Sequence, residues 1–168
     1  MESRPVLSAA GGARQSAIVL KFVQPGLAGL TDGSVSTLAP IFATVFASHS
    51  SHAAFLVGAA SAVGAGISMG VAEGLSDDGR LTGRGHPFAR AAIVGGGTFL
   101  GGIFHTLPFL IADVRTALAV AALVVSVELL TIAWIRYRYM QARFVLSVAQ
   151  VVGGGALVLA AAALIGSS

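Results

Sequence analysis

Five apolar runs, each long enough to cross a bilayer as a helix, occupy most of this 168-residue chain. Inside hydrocarbon every backbone N–H and C=O must be satisfied within the protein, so only helices and closed barrels span. A spanning helix needs about 20 mostly apolar residues, roughly twice the length of a barrel strand. The runs extend from Pro25 to Ala47, Ala53 to Leu75, Phe88 to Ala112, Val114 to Ile135 and Phe144 to Ile165. The expected fold class is therefore an all-α integral membrane protein with five transmembrane helices. With 55% hydrophobic and 10% charged residues, the chain has too little polar surface for a soluble domain of its own. It has no cysteine, which rules out disulfides and thiolate metal sites.

Charge placement sets the expected orientation. Arg4, Arg14 and Lys21 precede the first run, Arg80, Arg84 and Arg90 lie at the second connection, and Arg136, Arg138 and Arg143 lie at the fourth. The opposite side holds only Arg115. By the positive-inside rule the N-terminus is cytoplasmic. The net charge of +3 is then a topology signal and not a nucleic-acid footprint. The first residues lack the apolar core of a signal peptide. Residues 1–24 read as a cytoplasmic N-terminal segment, and residues 25–168 as a five-span membrane domain. Within the first segment, Ala13–Gln24 reads as a short amphipathic helix on the membrane surface. The expected location is a multi-pass protein of a bacterial inner membrane.

Proline and glycine punctuate the runs. Pro25 suits the first turn of a helix, while Pro40 and Pro108 should kink the first and third spans. Gly66, Gly70 and Gly74, and likewise Gly97 and Gly101, recur at four-residue spacing, which lets helix backbones approach closely.

Three acids fall inside the apolar runs: Asp32, Glu73 and Glu128. A carboxylate in hydrocarbon costs several kcal/mol unless it meets water, a proton, a cation or a polar partner. Counting helical rise from the inner ends, Asp32, Met69 and Glu128 should share one layer, with Asp32 roughly 10 Å deep. Met69, Glu73 and Asp77 recur every four residues and should form a stripe from a cytoplasmic mouth into the membrane. A methionine thioether suits softer transition metals and not calcium or magnesium. The candidate cation-contacting residues are thus Asp32, Met69, Glu73, Asp77 and Glu128. Glu128 and His105 are the candidates for a counter-moving proton. His49 and His52 sit in an outer S-H-S-S-H loop, where the bland reading is simple exposure, and His86 lies in a loop. No hydrolase, nucleotide-binding or zinc-enzyme motif is present, so no enzyme is expected.

At these residues the chain resembles the vacuolar iron transporter family. The string G-L-T-D-G-S-V-S-T around Asp32 is similar to that family's first-span signature, and G-A-G-I-S-M-G around Met69 to its second-span signature. The similarity covers about Val23 to Ile165 and includes an L-P-F-L string closing the third span. It implies five spans, a homodimer with the path at its interface, and Asp32 and Met69 as residues contacting a divalent metal. Plant-type members carry a Glu-rich insertion between the second and third spans, where this chain has only S-D-D-G-R-L-T-G-R-G-H-P. The membrane part of bacterial membrane-bound ferritins is more similar, and there a ferritin-like domain precedes it. These residues contain no such domain, which leads to the expectation of a separate ferritin-like or metal-delivering partner. The expected function is export of Fe²⁺ or Mn²⁺ from the cytoplasm in exchange for protons, with no permanently bound cofactor. The alternative is a non-transporting membrane module that anchors or regulates a partner.

Overall fold

The computed structural model describes residues 16–76, 78–79, 82–140 and 142–167. Its elements are α1 (Gln24–Ser36), α2 (Leu38–Ser48), α3 (Ser51–Ser76), α4 (Pro87–Phe104), α5 (Val114–Met140) and α6 (Phe144–Gly166). Among the described residues there is no strand. Residues Ser16–Ser48 form the first of five helical stretches long and apolar enough to cross a membrane; α3, α4, α5 and α6 are the others.

The prolines shape the helices, each for a local reason. Pro25 sits in the first turn of α1, as expected, but α1 is not the start of the helical stretch. Residues from Ser16 onward are already helical and enter α1 through a π-turn, Val19–Val23, so the segment expected on the membrane surface is continuous with the first span. Pro25 lacks the N–H that would return to the preceding turn, and the wider π-turn takes up that mismatch. At Pro40 the ring has no donor for the Ser36 carbonyl, and the chain breaks at Thr37, between α1 and α2. Pro108 does the same more completely. The third span was expected to run to Ala112, but α4 ends at Phe104, and a 3₁₀ turn, Leu107–Leu110, follows. Both breaks fall three residues before their proline.

The helices meet through small residues and apolar packing. α4 packs against both α1 and α3, α2 packs against α6 and α3, and α5 against α6. Lipid tails are as apolar as leucine, so close van der Waals fit and hydrogen bonds hold such helices together. Gly95 of α4 faces α3 so closely that an added Cβ would lie 2.6 Å from the Gly66 carbonyl oxygen. On α1, a Cβ on Gly33 would collide with the Thr98 backbone of α4. The four-residue glycine spacing is therefore a helix–helix seam. Beside it, Leu38, Ile41 and Val45 of α2 pack with Phe109, with Ala121 and Ile132 of α5, and with Val151 and Ala162 of α6.

Side chains cap the starts of α4 and α5. Asp113 accepts from the Thr116 hydroxyl at 2.6 Å and from the Thr116 amide at 2.8 Å, closing the start of α5. These bonds, the hydroxyl first, hold the Asp113 carboxyl below the usual carboxylate range. His86 Nδ1 accepts from the Phe88 amide at 3.3 Å and caps α4, so this loop histidine has a structural task.

The seam makes a direct prediction. Gly33→Ala must push α1 away from α4 and should cost about 1–3 kcal/mol, as overpacking does. Gly96→Ala meets nothing within 4 Å and should leave the thermal unfolding midpoint in detergent unchanged. Equal midpoints for the two variants would mean the seam is not tight.

Candidate functional site

Asp32 lies on the face of α1 away from the glycine seam. It is half-buried, and its carboxylate makes no hydrogen bond or ion pair with any described residue. It lines a cavity of about 550 Å³ together with Gln24 and Thr31 of α1 and with Arg136 and Met140 of α5. Thr31 spends its hydroxyl on the Leu27 carbonyl at 2.8 Å, and Arg136 donates to Gln150 Oε1 at 3.1 Å. The cavity therefore holds one unpaired carboxylate, one guanidinium already engaged elsewhere, an amide and a thioether.

The sulfur there is Met140, not Met69. Met69 is half-buried on α3 and does not line this cavity. Met140 was overlooked because it follows the fourth apolar run, among aromatic and basic residues that read as an interface. Only the length of α5, which continues to Met140, brings it beside α1.

Glu73 has a different environment. Its Oε1 lies 2.8 Å from Arg90 Nε and 2.9 Å from an Arg84 terminal nitrogen. Arg90 is 1% exposed. It also donates to the Glu73 carbonyl at 3.3 Å, to Ser76 Oγ at 3.0 Å and to the Gly85 carbonyl at 3.2 Å. One guanidinium thus caps the C-terminal end of α3, where helix dipoles favour a cation, and ties down the connection to α4. Glu73 is held between two arginines in place of an open stripe with Met69. Asp77, the outer end of that stripe, lies outside the described residues.

Glu128 and His105 are brought together. His105 is wholly buried at the end of α4, and its Nδ1 lies 3.0 Å from Glu128 Oε2. Its Nε2 lies 2.7 Å from Thr37 Oγ1, and Thr37 donates to the Gly33 carbonyl at 2.8 Å. The break before Pro108 aims His105 inward, and the break before Pro40 presents Thr37 to it. Glu128 is 8% exposed, and its other oxygen, Oε1, is buried without a partner among the described residues. Thr37 closes the G-L-T-D-G-S-V-S-T string, but nothing in that string shows that it meets a histidine of another helix.

His49 and His52 line one cavity of about 440 Å³ with Phe55 and Phe109, at the opposite ends of the helices from Glu73. His49 adopts a left-handed conformation with φ of 51° that closes α2. Among the described residues no three His, Cys, Asp or Glu side chains come together as a metal site. No family model, curated protein or solved structure matches the chain.

The two arginines on Glu73 should differ sharply on removal. Arg90→Met removes the buried partner of Glu73 and the cap on the end of α3, leaving Glu73 only the partly solvated Arg84, and should cost about 3–5 kcal/mol, whereas Arg84→Met removes a partly solvated pair worth about 0–1 kcal/mol. Thermal unfolding in detergent measures both, and equal losses would rule out Arg90 as the central cap.

Proposed function

We propose that this chain is a multi-pass membrane transporter of the vacuolar iron transporter type that moves a divalent transition metal, Fe²⁺ or Mn²⁺, out of the cytoplasm in exchange for protons. The observation that carries this reading is Asp32. An unpaired carboxylate within a spanning helix is expensive unless it serves a cation or proton. It lines an open pocket of about 550 Å³, large enough for a partly hydrated ion, that the Met140 thioether also lines. Carboxylate and thioether together suit a borderline transition metal better than calcium or magnesium.

In this reading the N-terminus is cytoplasmic. The Asp32 cavity, near the Arg136 end of α5, is entered from that side. Arg136 supplies a positive charge that keeps affinity low enough for release. Met69 joins the path only across an interface with a second copy, as the family resemblance implies. A ferritin-like or metal-delivering protein would feed the cavity. The alternative, a non-transporting anchor or regulatory module, draws support from Glu73 and Glu128, which already have internal partners.

Reconstituted vesicles decide between them. Wild-type protein should carry Fe²⁺ or Mn²⁺ outward when the outer side is acidic. Asp32→Asn should drop flux to the protein-free background while eluting as a folded species on size exclusion. The amide matches the carboxylate in shape but cannot offset the cost of dehydrating a cation. Wild-type flux in that variant removes Asp32 from the path, and absence of wild-type flux for every metal favours the module.

The sulfurs can be ranked in the same assay. Met140→Leu keeps the volume and removes the lone pair. It should lower Fe²⁺ flux relative to Mn²⁺ flux. Met69→Leu should do so only if two copies bring Met69 to Asp32. An unchanged metal ratio in Met140→Leu would make Met140 a packing residue.

A further inference from the structure

We propose that Thr37 fixes the tautomer of His105, so that in the resting protein His105 is neutral with its hydrogen on Nε2 and Glu128 is a carboxylic acid donating to Nδ1. Thr37 is then a positioning residue for the one mobile proton of a buried line, Glu128–His105–Thr37. The functional consequence rests on the transport reading above, but the proton arrangement does not.

The argument is a count of hydrogens. Thr37 Oγ1 lies 2.8 Å from the Gly33 carbonyl oxygen and 2.7 Å from His105 Nε2. A carbonyl only accepts, and a hydroxyl has one hydrogen. That hydrogen goes to Gly33, as the hydroxyls of Thr31, Ser34, Thr44 and Thr106 go to the carbonyl four residues back. The contact with His105 then requires the hydrogen to sit on Nε2.

Nδ1 faces Glu128 Oε2 at 3.0 Å, and one hydrogen must lie between them. A neutral Nε2–H imidazole beside an ionised carboxylate would set a lone pair against lone pairs in a buried site. Two arrangements remain, imidazolium with carboxylate or imidazole with carboxylic acid. Glu128 Oε1 separates them. It is buried with no donor among the described residues, and it belongs to a carboxyl group that borders an apolar cavity with Leu30, Phe104 and Val127. An ionised carboxylate would leave charge on an oxygen that nothing donates to, which costs far more than an unpaired acid carbonyl. Of the other charged groups on these helices, Asp32 and Arg136 line a separate cavity, Arg90 is engaged with Glu73, and Arg115 and Arg138 lie near the two ends of α5.

Glu128 is therefore loaded with a proton at rest and is not an open anion waiting for metal. Its proton can leave only if the negative charge it uncovers is compensated. That ties the proton on α5 to the arrival or departure of charge elsewhere in the path. Thr37, five residues beyond Asp32 on the same span, joins this line to the turn that carries Asp32.

The test uses full-length protein in lipid nanodiscs with His49, His52 and His86 replaced by Gln, so that His105 gives the only imidazole signal. With ¹⁵N-histidine, magnetic resonance should show hydrogen on Nε2 and none on Nδ1. Infrared spectra should show a protonated-carboxyl band that is lost in Glu128→Gln. Thr37→Val removes the acceptor and should move the hydrogen to Nδ1, while Thr37→Ser should keep it on Nε2. In vesicles, Thr37→Val should lose the dependence of metal flux on the pH gradient, and Thr37→Ser should retain it. Hydrogen on Nδ1 alone or on both nitrogens of the parent protein overturns the proposal, as does absence of the carboxyl band. So does a tautomer unchanged in folded Thr37→Val. If Thr37→Val does not fold, the parent spectrum and Thr37→Ser still decide. The expected spectra with no metal flux in the parent would support the proton line and sink the transport reading alone.

Discussion

Two broken helices meet at a single hydrogen bond, and much of the interior is arranged around it. Helix breaks free backbone carbonyls, which hydrocarbon does not tolerate unless something nearby satisfies them. Here the break before Pro40 brings Thr37 into the core, and the break before Pro108 brings His105 there. The 2.7 Å contact between them joins the first span to the third, and Glu128 adds the fourth. A straight α4 would carry His105 past this point. The prolines thus act by ending helices where a polar side chain is wanted inside.

The glycine seam makes that meeting possible. α1 can reach α4 only because Gly33 has no side chain to strike the Thr98 backbone. Gly33 is also the residue after Asp32, so the string that resembles a metal-site signature has a packing role as well. In a bilayer, where lipid tails are as apolar as the helices, such contacts and internal polar bonds supply helix association. The Arg90 cap does the corresponding work at the other end of α3, joining α3, its connection and α4 through one buried guanidinium.

The three acids of the apolar runs, alike in the sequence, have three different environments. Glu73 is neutralised by arginines, Glu128 shares hydrogen with a histidine, and Asp32 alone has no partner. That division gives the cation-facing role in our reading to Asp32 and the proton-facing role to Glu128 and His105. It also separates the two roles in space, because the Asp32 cavity is walled by Arg136 and Met140, two and three helical turns beyond Glu128.

The five apolar runs were legible in the sequence because bilayer thickness imposes a length and backbone polarity imposes a helix. The four-residue glycine spacing and the isolated acids were legible for similar reasons, being local patterns with a fixed cost in hydrocarbon. Which way each acid faces was not, because a carboxylate's partner lies on another helix. Arg90, read as a topology charge, proved to be the partner of Glu73 only once α3 and α4 were packed. Met140 gave no local signal, and Thr37 only its place at the end of the string around Asp32. Their roles follow from the end of α4 at Phe104 and the extension of α5 to Met140, which set the register between helices far apart in the chain. Local cost wrote the spans and the suspects into the sequence, and long-range register alone decided who meets whom.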